Sequence, residues 1–315
     1  MRPAALPAAL ALLFTLTAAG ADDLSLAAHW RLAEPGRHLA GVTAAATARR
    51  LAVRITGPGA GDDLAVVDLA AGRPAARVPA AVGAASDPLW LSAERLAVVA
   101  GRTLRWWPEA GQGAPVEIAL PQAALAATAS ADGSRLALAA ADGSVSVLDA
   151  ESATVLAGVR CGASPPAAFA LSEDGAWLIT AGADPSGTRL ALWQVSNGAQ
   201  RAAAVTTPLA CLAWGGPEGA LVAGGEGGLG LWRVPELAAL RRLETAAPRL
   251  LALSPDHTRL ALAADNAVEV WDLGAGTRLA VVDSPGVGGI CFPEPGAVAV
   301  AAGDTLRLYQ LPAAN

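Results

Sequence analysis

Residues 249–285 read RLLALSPDHTRLALAADNAVEVWDLGAGTRLAVVDSP and contain four short apolar runs, at 250–253, 260–263, 268–273 and 279–282. Every break between them is a turn signal: first Pro255-Asp256, then Asp265-Asn266, then Gly274 to Gly276. Runs of this length with such punctuation read as the strands of one antiparallel meander. A meander of four strands has two open edges and two apolar faces, so it cannot stand alone in water and must have neighbours like itself.

Working outward, those neighbours are found. Leu51, Leu96, Leu136, Leu178, Leu221, Leu260 and Val298 each mark the second strand of such a unit, with steps of 45, 40, 42, 43, 39 and 38 residues. A period near ~40 residues with four strands per period is the pattern of a β-propeller blade. The expected fold is therefore all-β, a seven-bladed β-propeller of four-stranded antiparallel blades.

Two other registers repeat the count. The connection from each outer strand to the next inner strand carries a proline: Pro35, Pro79, Pro121, Pro165, Pro208, Pro248 and Pro285. Proline cannot donate to a strand ladder, so these positions are expected between strands. An aromatic stands on the third strand at Trp107, Trp232, Trp271 and Tyr309, each 11 residues after its marker, and Trp193 is displaced by a longer turn. One large ring per blade at a fixed place is expected to fill the gap between adjacent sheets.

The ends of the repeat do not match. Residues 24–33 resemble the close of a unit, whereas the last unit, 287–312, has only three strands. Pairing the N-terminal strand with the last blade would complete that blade and remove the open edge, so closure of this kind is expected.

Ahead of this strand, residues 1–21 carry Arg2, an apolar segment and Ala19-Gly20-Ala21 before Asp22-Asp23, the arrangement of a cleaved signal peptide. The mature propeller would then comprise residues 22–315, with a periplasmic or secreted location and no membrane span after cleavage. Hydrophobic residues make up 53% of the chain and charged ones 16%, which suits a large core rather than a disordered polymer. Net charge is -6, and the only basic doublets are Arg49-Arg50 and Arg241-Arg242, which argues against nucleic acid as a partner. Cys161, Cys211 and Cys291 fall in units three, five and seven, which are not neighbours in a ring, so free thiols are expected.

Trp271-Asp272 at the end of a third strand, after Ser254-Pro255-Asp256 and before Gly274 to Gly276, resembles the WD-repeat family, as a degenerate secreted bacterial variant. Asp68, Asp149 and Asp272 stand at that family's Asp position. The Gly-His dipeptide that members carry before the first strand is missing, and with it the buried His-Asp network. The resemblance implies a platform for partners and does not imply chemistry.

The predicted inner strands, LAGVTA, PLWLS, ALAATAS, AAFALS, LACLAW, RLLALS and VGGICF, hold no carboxylate pair and no nucleophile beside a base. His29, His38 and His257 are scattered, and Asp62-Asp63 and Asp184 lack the spacing of a calcium loop, so neither a metal nor another cofactor is expected. The turns between second and third strands are expanded at 57–63 in unit one and 182–188 in unit four. On a propeller these turns share a face with the proline connections, so Arg37, His38, Asp62, Asp63, Arg102, Asp184, Glu226 and Arg249 would crowd one mouth. A non-enzymatic, monomeric scaffold that binds a protein or peptide on that face is the leading expectation. A hydrolase or lactonase acting at the channel mouth is the alternative.

Overall fold

The computed structural model describes residues 24–45, 49–58, 61–81, 86–215 and 220–311. The expected signal segment, 1–21, and the Gly-Pro-Glu-Gly turn of unit five, 216–219, lie outside the described residues. The described residues form strands and turns with no helix, arranged as seven antiparallel blades.

The quoted stretch is blade six, with strands Leu250–Leu253, Arg259–Ala264, Ala267–Asp272 and Thr277–Asp283 paired in sequence order. Its register pairs the marker Leu260 with Trp271. The same pairing recurs as Leu178 with Trp193, Leu221 with Trp232 and Val298 with Tyr309. In blades five, six and seven the 11-residue spacing is thus the length of the hairpin that joins an aliphatic residue to a ring, and blade four's longer hairpin sets Trp193 further on. In blade two the second and third strands are continuous, Leu96–Trp107 running without a break through Gly101 at φ +56°. The chain nevertheless doubles back there: Ala110 N donates to Glu94 O, as Leu273 N does to Thr258 O in blade six. Positive φ at the turn costs glycine nothing.

The chain's first strand, Ser25–Arg31, pairs antiparallel with Thr305–Gln310 and completes blade seven. Leu32 N and Ala33 N donate to Asp304 O, and Trp30 Nε1 donates to Gly72 O of blade one at 3.0 Å. The expected closure is present. At this seam the inner strands of blades seven and one approach so closely that a Cβ on Gly288 would lie 2.1 Å from Leu39 O.

Seven apolar clusters fill the gaps between consecutive blades, and the third-strand rings sit in them. Trp107, 1% exposed, packs with Ala52, Leu64 and Val66 of blade one, and Tyr309 packs with Val268 and Val270 of blade six. Each ring therefore faces the preceding blade. Burial of this kind, at about 25 cal/mol per Å², is what binds blade to blade.

Two prolines depart from the expected register. Pro79 and Pro121 lie within the outer strands Arg73–Ala81 and Val116–Ala124, not between strands. An outer strand is an edge, whose solvent-side N–H groups have no ladder to join, so proline is tolerated there.

The Ser-x-Asp turns brace the hairpins between first and second strands. In blade four, Ser172 Oγ donates to Asp174 Oδ1 at 2.7 Å and accepts from Trp177 N at 2.9 Å, while Ala176 N donates to Asp174 at 3.0 Å. These bonds, that from Ser172 foremost, hold the Asp174 carboxyl below the ordinary carboxylate range. At Asp132 and Asp256 burial works the other way, but the bonds from Ser130 and Ser254 and from the following backbone outweigh it. A carboxylate whose folded pKa is depressed stabilises the fold above its unfolded value, about 4, and loses that contribution as pH falls through the folded value. Stability measured by urea denaturation is therefore expected to be level from pH 7 to 5 and to fall below about pH 4. Asp174→Asn should make that fall shallower, and an unchanged acid limb would remove the turn from the account.

Candidate functional site

All eight candidate residues lie on the face formed by the turns between second and third strands and the outer-to-inner connections, but the structure divides them into two groups. In blade one the charges neutralise one another. Arg37 Nη1 donates to Asp63 Oδ2 at 2.6 Å, and Nη2 donates to Gly61 O at 2.8 Å and Ile55 O at 3.0 Å. Asp63 also accepts from Arg77 Nη2 at 3.0 Å, and Asp62, 5% exposed, accepts from Arg54 Nη1 at 3.2 Å. Arg54 reaches on to Asp87 at 3.0 Å, just ahead of the inner strand of blade two.

These bonds tie Gly61 and Asp63 to the connection before blade one, and Asp62 through Arg54 to Asp87. Arg54, Arg77 and Asp87 were not singled out by sequence, because they come from a second strand, an outer strand and the next blade. The alternation of strand side chains is the one signal that could have found them, since Arg54 and Leu64 pair directly and Asp62 is two residues from Leu64 on the same side. Asp62 and Asp63 are thus structural first: removing one partner of such a pair leaves the other charge poorly solvated.

The remaining residues face solvent. His38 is exposed and pairs with Thr56 at the start of the inner strand. Arg102 Nη2 donates to Pro121 O at 2.9 Å, tying its turn to the outer strand of blade two, and Arg249 Nη2 donates to Asp265 O at 2.9 Å, tying the connection before blade six to that blade's turn. Glu226 is exposed, and its backbone N donates to Pro208 O at 3.1 Å.

Asp184 marks a correction. The expected loop at 182–188 is a hairpin, with Gly182 paired to Arg189, Ala183 to Thr188 and Asp184 to Gly187. The added residues lengthen both strands, Trp177–Asp184 and Gly187–Gln194, and leave a two-residue tip at Pro185-Ser186. Asp184 Oδ1 accepts from Ser186 Oγ at 2.6 Å and Ser186 N at 3.0 Å, which closes the tip and lowers its pKa. An Asp can shape a two-residue tip in this way because its side chain stands in for a backbone acceptor.

The inner strands carry neither aspartate nor arginine, and their one glutamate, Glu294, sits at the end of the last and pairs with Arg49 at 3.5 Å. On the opposite mouth His257 Nε2 meets Glu173 Oε1 at 2.7 Å, joining turns of blades six and four. His29 is exposed on the closing strand. Among the described residues no group of three or more His, Cys, Asp or Glu is placed to hold a metal. The three thiols are free: burial pushes Cys211 up to about 12 and raises Cys291 further, so both are poor nucleophiles. No helix of the described residues is long and apolar enough to cross a membrane.

Asp68, Asp149 and Asp272 act locally. Each accepts backbone N–H bonds from the turn that follows, from Ala70 and Ala71, from Glu151 and Ser152, and from Ala275. In these blades the aspartate is a turn cap. Comparison of the chain with models of known protein families and with curated proteins gives no match to either, so it is the sevenfold strand topology that classifies the chain as a β-propeller.

Proposed function

We propose that this chain is a non-enzymatic, WD-type propeller scaffold, exported to the periplasm or beyond, that binds a protein or peptide through the face described above. The observation that carries the reading is the blade-four hairpin. Its two strands are paired out to a two-residue tip, while the inner strands stay apolar and nearly without charge. Recognition groups on a rigid scaffold bind without a large ordering cost, which favours such an arm as the contact. The Trp271-Asp272 ending and the Ser-x-Asp turns support the WD-type reading, and the signal-like residues 1–21 support export. A monomer with no resident cofactor fits the same reading.

The test is affinity capture from an envelope fraction with the exported form, comparing the native chain with Asp184→Ala/Ser186→Ala. Both side chains act only at the exposed tip, so stability should change by less than about 0.5 kcal/mol. At least a fivefold loss of the specifically captured protein is expected. Equal recovery would move binding off this arm, and turnover of a lactone or phosphoester panel by the native chain would replace the scaffold reading with the enzymatic one.

A further inference from the structure

The gap between blades four and five holds a cleft beside its apolar cluster. Two residues before the third-strand marker, the other blades carry Ala65, Arg105, Ser146, Ala191, Glu269 and Arg307, whereas blade five carries Gly230. Two residues earlier still, blade five again has glycine, Gly228.

Elsewhere side chains occupy this place. In blade six Glu269 accepts from Trp271 Nε1 at 2.8 Å and from Arg278 at 3.1 Å. In blade three Ser146 accepts from Gln122 Nε2, which reaches over from blade two, at 2.9 Å. In blade five nothing replaces them. Trp232 Nε1 is buried and has no acceptor among the described residues. A cleft of about 320 Å³ opens between the end of blade four's outer strand and the third and fourth strands of blade five.

The cleft has a defined chemistry. Its floor is apolar, formed by Leu209, Ala223 and Trp232, with Leu240, 41% exposed, at the rim. At the mouth Arg242 and Thr207 converge: a Cβ on Gly227 would lie 2.8 Å from Arg242 Nη2 and 2.5 Å from Thr207 Oγ1. Neither the Arg242 guanidinium nor the Thr207 hydroxyl makes a hydrogen bond or ion pair within the described residues. Other exposed arginines of this face spend their donors on carbonyls, as Arg102 and Arg249 do. No carboxylate lines the cleft.

We infer that this cleft binds the C-terminal residue of a peptide that ends in an aliphatic side chain. The α-carboxylate meets Arg242 and Thr207, since an anion with two or three acceptor sites matches a guanidinium beside a hydroxyl. The aliphatic side chain lies on Leu209, Ala223 and Trp232, in a cleft of about 320 Å³, at the lower end of the range for small-ligand sites. A free amino acid fits less well, because its ammonium would stand beside the Arg242 cation with no carboxylate lining the cleft to answer it. The amide of a peptide brings no such charge. The site deepens the reading of that face and rests on it, since its mouth at Thr207 and Gly227 lies there, but none of its groups belongs to the tip at 184–186.

The experiment is isothermal titration calorimetry of the exported chain with N-acetyl-Gly-Gly-Leu, with the same peptide as its C-terminal amide, and with leucine. Saturable binding of the free acid is expected, at least tenfold weaker for the amide and for leucine. Gly230→Ser, which restores the side chain of blade three, and Arg242→Gln should each weaken the acid at least tenfold. Arg242 is exposed and unpaired, so its variant should melt as the native chain does. Absence of binding, equal binding of acid and amide, or an unaffected Arg242→Gln would overturn the inference, and leucine binding as tightly as the peptide would overturn the peptide source. Asp184→Ala/Ser186→Ala should bind the acid normally even if it fails to capture a partner, which keeps the two proposals separable.

Discussion

Deletion of residues 24–33 is expected to turn one sharp thermal transition into a broad one at least about 6 °C lower. The strand Ser25–Arg31 supplies the fourth member of blade seven, and its flanks reach into both neighbouring gaps. Leu24 packs in the cluster between blades six and seven, and Leu32 with Ala33 packs in that between seven and one. Full burial of a leucine is worth about 1.5–3 kcal/mol, so the two leucines alone account for about 3–6 kcal/mol. At roughly 2 °C or more per kcal/mol, this sets the size of the shift. The loss of cooperativity has a separate origin: without the strand the Thr305–Gln310 edge is bare, and the ring becomes a row of blades that can fray from one end. Differential scanning calorimetry reads both effects. A truncated chain that melts as sharply and as late as the intact one would mean that the closure does not hold the ring.

Trp107→Ala is expected to lower stability by about 3–5 kcal/mol, the cost of emptying a large aromatic site in a core that cannot collapse. Trp107 is the most bulky of the fully buried side chains and lies between two sheets whose strands are fixed by their ladders, so neighbours cannot close the void. The adjacent Trp106 makes a useful contrast. It is only half-buried, with the Arg95 guanidinium 4.4 Å from its ring centroid, and its loss should cost much less. Guanidinium denaturation of the two variants would separate them, and equal losses would show that the gap-filling role has been assigned to the wrong ring.

The architecture was legible in the sequence because it is a repeat: the same hairpin length joins Leu260 to Trp271 and Val298 to Tyr309, and an error in one unit is corrected by the next. What depends on one blade alone was harder to read. Pro79 was placed between strands because an edge position, where its missing N–H does not matter, cannot be told from a connection by spacing. The insertion at 182–188 has the composition of a loop, yet the cross-strand pairs Gly182 with Arg189, Ala183 with Thr188 and Asp184 with Gly187 carry both strands on to the tip. Asp62 and Asp63 read as surface charges because their partners Arg54, Arg37 and Arg77 come from three other segments. Gly228 and Gly230 are plain in the alignment of the seven units, but an empty place becomes a cleft only when the walls on either side are known.

The seam has a mechanical consequence. Ser25 lies directly opposite Gln310, so the two ends of the propeller leave the same corner of one hairpin-like pair. Tension applied through the termini would therefore peel the strands apart one residue pair at a time, breaking about one or two backbone bonds per step, rather than shearing all of them together. A disc that resists heat as a single unit would yield to a weak pull at its ends.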